Sequence, residues 1–296
     1  MYTACTQRFP QPVPEDCTAA LLESSELLTA DYTTHLSVRE VKRWEQISST
    51  RRKLEWLAAR LAAKYLFLSR FELGKHARPR EQHVMKLTRD MLCRHSPWTY
   101  RSVEVLPPDD ESQEKPLLTW CGARRNENVS LSHTSGIACA SISTTPTAVD
   151  IEVATSRNKA FYRKTFTAAE QTWVSSSARD DEFKSSWFFT LLWTLKESAL
   201  KLKLLTSATI WELPYIEIRD LPDLPDLGKF APATTDTLAL DHLVSFPVRI
   251  KEPQGELPVQ VAVAGTRDWI LTVMNSRPGV LHELNTNSFR CEQPQQ

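Results

Sequence analysis

Glycine is scarce, 7 of 296 residues, against a usual share near 7%. No GxGxxG or GxxxxGK[ST] run occurs, so any phosphate group must be held by side chains or a metal rather than by a glycine-rich loop. A GxSxG nucleophile elbow is missing too, which leaves His133 without that kind of catalytic serine. There is no CxxC pair. Cys5, Cys17, Cys93, Cys121, Cys139 and Cys291 are scattered through a chain long enough to need no disulfide staples, and they read as reduced thiols. The start, MYTACTQRFPQPVPEDC, lacks a basic stretch followed by an apolar one, so no secretory signal is expected. The longest apolar run, residues 187–195, is about half a membrane span. Lys+Arg and Asp+Glu are both 36. That balance argues against a coat for nucleic acid or for an anionic membrane. These absences together lead us to expect a soluble cytoplasmic protein with neither nucleic acid nor membrane as partner.

The chain is 41% hydrophobic and 24% charged, a globular composition with material for one large or two medium domains. Prolines 10, 12 and 14 mark an arm over 1–20, and the polar QPQQ finish marks a tail over 285–296. The stretches 106–116 and 220–228 read as solvated loops. Apolar spacing of three and four predicts helices over about 37–48, 51–70, 81–92, 167–175 and 183–204. Alternating or β-branched runs predict strands over 129–143, 148–153, 215–218, 245–250, 259–264 and 269–274. Without strict βαβ alternation the class expected is α+β.

A faint repeat organises these parts. Leu36-Ser-Val-Arg-Glu40 resembles Phe166-Thr-Ala-Ala-Glu170, each a hydroxyl followed three residues later by Glu, the capping box that opens a helix. Downstream, Trp56, Arg60 and Lys64 have the spacing of Trp193, Glu197 and Lys201. The expectation is a pseudo-twofold duplication of two similar halves, 21–146 and 147–284, joined near residues 144–148.

Three segments could carry chemistry. On a helical wheel centred at Leu195, Phe188, Leu191, Leu192, Ala199 and Leu202 form the core stripe. Trp193, Glu197 and Lys201 fall opposite. That face is either solvated, with a Glu197–Lys201 pair, or, as Trp193 suggests, turned to a cleft. In Val149-Asp-Ile-Glu-Val153 the two carboxylates of Asp150 and Glu152 point the same way, about 7 Å apart along a strand. Such a pair is either the wet face of the strand or the holder of a hard cation. Ser132 and His133 stand at a strand start, where His133 is either a residue of a capped turn or a donor to a phosphate oxygen.

In that order, Leu131-Ser-His133, Val149-Asp-Ile-Glu152, Phe166-Thr-x-x-Glu170 and Trp193-Thr-Leu-Lys-Glu-Ser-Ala-Leu-Lys201 resemble the motifs of the Sfp-type 4′-phosphopantetheinyl transferases. The helix beginning Arg51-Arg-Lys-Leu-Glu-Trp resembles the family's arginine-rich helix, and Glu114-Lys-Pro116 its G-K/R-P element. The resemblance spans about 36–203. Ala148 and Glu114 stand where relatives carry glycine.

The resemblance implies the duplicated fold with coenzyme A at the junction. It also implies Mg²⁺-dependent transfer of phosphopantetheine from coenzyme A to a serine of an acyl or peptidyl carrier protein, with release of 3′,5′-ADP. By the match, Asp150, Glu152 and Glu197 hold Mg²⁺, and Glu197, or a water it orients, takes the serine proton. Lys201 assists the departing phosphate and Lys196 is a supporting cation. Ser132, His133, Lys115, Arg52, Arg60 and Lys201 bind coenzyme A. A cleft inside one chain calls for no second subunit, so a monomer is expected. The alternatives are a homologue that binds coenzyme A or a carrier without turnover, and an unrelated Mg²⁺-dependent enzyme acting on a nucleotide.

Overall fold

The computed structural model describes residues 18–28, 31–73, 84–107, 116–202, 213, 215–222, 244–252, 255–266 and 268–276. The first half of the chain gives β1 (Thr18–Glu23), α1 (Val38–Glu45), the long α2 (Thr50–Leu73) and β2 (Val84–Lys86). The short helices α3 (Arg89–Leu92) and α4 (Pro97–Arg101) come next, then β3 (Val103–Leu106), β4 (Leu117–Trp120), β5 (Ala123–Arg124), β6 (Asn128–Thr134) and β7 (Ile137–Ser143). The second half gives β8 (Thr147–Val153), α5 (Lys159–Thr165), α6 (Ala168–Ala178) and α7 (Glu182–Leu202). It ends with β9 (Glu217–Arg219), β10 (Val244–Glu252), β11 (Gly255–Gly265) and β12 (Trp269–Ser276). The class is α+β, as expected.

The strands form a four-stranded sheet in the order β2-β1-β7-β6, a five-stranded sheet in the order β8-β12-β11-β10-β9, and a small sheet β3-β4-β5. Strand alternation builds the layers. In β1, Ala20 and Leu22 pack under α2, whereas Ala19 and Leu21 join Cys139, Val149, Ile151 and Leu271 between the two larger sheets. In β8, Val149 and Ile151 enter that inter-sheet core while Ala148 packs with Leu191 and Leu195 of α7. The result is helix, sheet, sheet, helix. It confirms the alternation expected for β8: Asp150 shares a face with Ala148, and that face meets α7.

The edge strands of the two larger sheets, β6 and β8, meet through side chains. Ser130 Oγ accepts the Val149 N–H at 3.1 Å and Ser132 Oγ accepts the Ile151 N–H at 3.4 Å. Ser130 and Ser132 therefore occupy the outward hydrogen-bonding edge of β8 where a further strand would sit.

Both capping boxes form. Ser37 and Glu40 exchange backbone-to-side-chain bonds at the head of α1, as do Thr167 and Glu170 at the head of α6. Each Glu is buried and meets a buried Lys. Glu40 pairs with Lys64 of α2 and also accepts the Val105 N–H at 2.9 Å. Glu170 pairs with Lys196 of α7 at 2.8 Å and accepts the Ile218 N–H at 2.9 Å. Each ammonium donates to two carbonyls besides, His35 and Tyr100 for Lys64, Thr165 and Leu213 for Lys196. Lys64 and Lys196 thus make alike buried pairs, and Lys196 lies five residues before Lys201, the residue that helical spacing set beside Lys64. Lys196 is an internal strut rather than a supporting cation at the site.

Other differences have local causes. Over 81–92 the described part is β2 and then α3, because Leu87 N–H bonds Leu21 O at 2.7 Å and the segment runs parallel beside β1. The run expected as one strand over 129–143 folds back as the β6–β7 hairpin at Ser135 and Gly136, both at positive φ. The expected arm over 1–20 gives way to β1 at Thr18, and the helix expected to 204 is described to Leu202. Residues 108–115, 223–228 and the expected tail lie outside the described residues.

Candidate active site

Helix α7 presents the two faces the wheel predicts. Phe188, Leu191, Leu192, Leu195, Ala199 and Leu202 are buried, and the opposite face, Trp193, Glu197 and Lys201, is half-buried. Trp193 packs on Phe161 of α5 with ring centroids 5.2 Å apart, which explains an indole opposite the core stripe. Lys201 reaches across to β8, donating to Asp150 Oδ1 at 2.7 Å and to Val149 O at 3.2 Å. Ser132 Oγ of β6 donates to the same Asp150 oxygen at 2.7 Å. Three elements therefore converge on one carboxylate.

Asp150 is 3% exposed, and its second oxygen, Oδ2, is buried without a hydrogen-bond partner. A buried carboxylate oxygen left unpaired is costly. Its neighbours share the strain. Burial, and then the charge of Asp150, push Glu197 up to about 7. The same two causes raise Glu152 above the usual carboxylate range. Arg157 offsets part of this charge. Its guanidinium lies 3.8 Å from Glu152 and over the rings of Phe161 and Trp193, at 4.9 and 5.3 Å.

Among the described residues, no group of three or more His, Cys, Asp or Glu side chains is already gathered into a metal cage. Mg²⁺ needs no such cage. It binds through one or two carboxylates and keeps waters and substrate phosphates. An orphaned buried oxygen beside two carboxyls kept from ionising freely fits that donor set.

His133 follows Ser132 on β6 and faces α2. Its Nδ1 is 3.3 Å from Oε2 of Glu55. Burial lowers the pKa of the ring, with Arg52 next in effect; Glu55 works in the opposite direction, and Lys201 and Arg60 reinforce the lowering. Arg60 is buried with its guanidinium flat on Trp56, 3.4 Å from the ring centroid, and its Nε has no partner. Burial pushes it down to about 9. Arg52 is exposed on the first turns of α2. Lys115 and Glu114 lie outside the described residues.

The structure thus gathers Ser132, Asp150, Glu152, Glu197 and Lys201 at the β6–β8–α7 meeting point, with His133 and the cations Arg52 and Arg60 on its flank. Ser132, expected as a phosphate donor, directs its hydroxyl proton to Asp150. Ala148 is buried in β8 and is not among the residues with positive φ, so this position makes no demand for glycine. Two neighbours of the site escaped the sequence reading, Glu55 and Arg157. The signal for Glu55 was its place four residues after Arg51 on one helix face. Arg157 had none beyond lying five residues after Glu152. A cavity of about 650 Å³ opens on the far side of Arg157, lined among others by Lys159, Tyr162, Asp181 and Phe183. It does not include the Asp150 cluster.

Residues 146–234 match the family model described as the 4′-phosphopantetheinyl transferase superfamily. The matched segment carries Asp150, Glu152, Glu170, Lys196, Glu197 and Lys201. No curated protein matches the chain.

Proposed function

We propose that the chain is a Sfp-type 4′-phosphopantetheinyl transferase. It moves the phosphopantetheine arm of coenzyme A to a serine hydroxyl of an acyl or peptidyl carrier protein and releases 3′,5′-ADP, in a Mg²⁺-dependent reaction. The observation that carries this reading is the divided Asp150 carboxylate: Oδ1 is fixed by Lys201 and Ser132, while buried Oδ2 has no partner. Asp150, Glu152 and Glu197 would hold Mg²⁺, which when bound supplies charge neutralisation at the pyrophosphate.

The chain's own groups do the rest. Glu197, or a water it orients, takes the proton of the attacking serine. As the serine oxygen bonds to phosphorus, the bond from phosphorus to the 3′,5′-ADP oxygen breaks. Lys201, anchored on Asp150, meets the charge that develops on that leaving oxygen. His133, with Arg52, Arg60 and Lys115, binds the phosphates of coenzyme A. Ser132 joins them only if its bond to Asp150 is exchanged. Otherwise it serves the site by holding that carboxylate.

The matched Glu40–Lys64 and Glu170–Lys196 pairs support a pseudo-twofold duplication, with halves at 21–146 and 147–284 and the site between them. A site completed within one chain supports a monomer, and the location that goes with this reading is the cytoplasm. No helix among the described residues is long and apolar enough to cross a membrane.

The test is incubation of the full chain with coenzyme A, Mg²⁺ and a panel of apo carrier proteins from fatty-acid, polyketide, nonribosomal-peptide and lysine pathways. Phosphopantetheine added to a carrier, with 3′,5′-ADP released, supports the reading. Binding of coenzyme A with no carrier modified would favour the homologue without turnover.

A further inference from the structure

We propose that Glu55 is a positioning residue that sets the orientation of the His133 ring. The inference rests on the reading above, in which His133 meets a phosphate of coenzyme A. Glu55 belongs to α2, and its side chain is 6% exposed. Burying a carboxylate this far is unfavourable unless its oxygens are matched. Here they are divided between two tasks. Oε1 accepts the Gly136 N–H at 2.9 Å and Arg51 Nε–H at 2.9 Å. Oε2 is left facing His133 Nδ1 at 3.3 Å.

The Gly136 bond matters because Gly136 lies in the turn that ends the His133 strand. Its φ is +86° and that of Ser135 is +46°, a backbone course that would be strained for most side chains at 136. Ser24 grips the same residue from the other side, donating to Gly136 O from its N–H at 2.7 Å and from its hydroxyl at 2.8 Å. One carboxylate thus fixes the turn and faces the ring three residues before it.

The chemistry of the pair selects the ring form. A carboxylate can only accept, so the nitrogen facing it carries the proton. Nε2 is then the atom turned away from Glu55 and left for a ligand. When an anion meets Nε2 and the ring takes a second proton, Glu55 is already placed to stabilise the imidazolium. Without Glu55 the ring loses both its rotational anchor and its preference for a proton on Nδ1.

The test uses the full chain with Glu55→Gln, Glu55→Asp, His133→Ala and the double variant Glu55→Gln/His133→Ala. Calorimetry measures coenzyme A binding without Mg²⁺, steady-state assays separate KM from kcat, and ¹⁵N-histidine NMR reads the ring directly. The expected result is about 10-fold weaker coenzyme A binding and a matching rise in KM in Glu55→Gln, with kcat little changed. Glu55→Asp should recover part of the loss, and the double variant should be no worse than His133→Ala. Unchanged binding in Glu55→Gln, or losses that add in the double variant, would overturn the proposal. The wild-type spectrum keeps the test decisive if Glu55→Gln fails to fold. A neutral His133 protonated on Nδ1 supports the proposal, and one protonated on Nε2 refutes it. If wild-type protein binds no coenzyme A, the functional reading fails, and the ring signature alone decides the role of Glu55.

Discussion

Asp150 sits where three elements meet, and its two oxygens have different fates. Asp150→Asn keeps an acceptor for Lys201 and Ser132 but removes the charge. Transfer to a carrier should fall at least about 100-fold, with near-UV circular dichroism unchanged. Glu197→Ala should abolish transfer likewise, and activity retained in both variants would remove the metal assignment. A second residue-scale effect lies away from the site. His35 is buried between the rings of Tyr32 and Tyr100. Burial first, then Lys64 and Arg101, lower its pKa to about 4. The unfolded chain therefore takes up a proton near pH 6.5 that the folded chain refuses until about pH 4. Stability from this group is complete above pH 6.5 and falls as pH drops through that window. By pH 5 it should be lower by about 2 kcal/mol, read as a shift in the urea midpoint that His35→Gln largely removes.

Helical spacing made Trp193, Glu197 and Lys201 legible as one face, because that relation is local to α7. It could not reveal that Lys196, one residue from Glu197, belongs to a different interaction, since Glu170 lies on α6. Lys196→Met and Lys64→Met each leave a buried Glu without its cation. Each should cost about 3–5 kcal/mol, measured by chemical denaturation, while transfer per folded molecule stays near wild type. Lys201→Met likewise takes the cation from a buried carboxylate, Asp150, and should lose transfer as well as stability. Strand β1 was hidden for a related reason. Its Ala19, Ala20, Leu21 and Leu22 are all fully buried, so the run shows no alternation. The segment 81–92 carried a helical period, but pairing beside β1 overrode it for β2.

The two larger sheets meet along β6 and β8 through serine hydroxyls, a relation between segments that no single stretch of sequence displays. What sequence could show was the order of the Ser-His, Asp-x-Glu and Trp-x-x-Lys-Glu elements, and their convergence on Asp150 gives that order its spatial meaning. Ser130→Ala strips the Val149 N–H of its acceptor inside the protein, which should cost about 1–3 kcal/mol in thermal or chemical unfolding.

The same junction governs what would follow from cutting the chain between Thr144 and Thr145. Each fragment would then carry one sheet whose outermost strand, β6 or β8, had lost its cover. A bare strand of that kind templates the addition of foreign strands and drives aggregation. The halves are therefore guardians of one another's edges. Produced separately they should precipitate, and produced together they should recover in soluble form as a non-covalent pair.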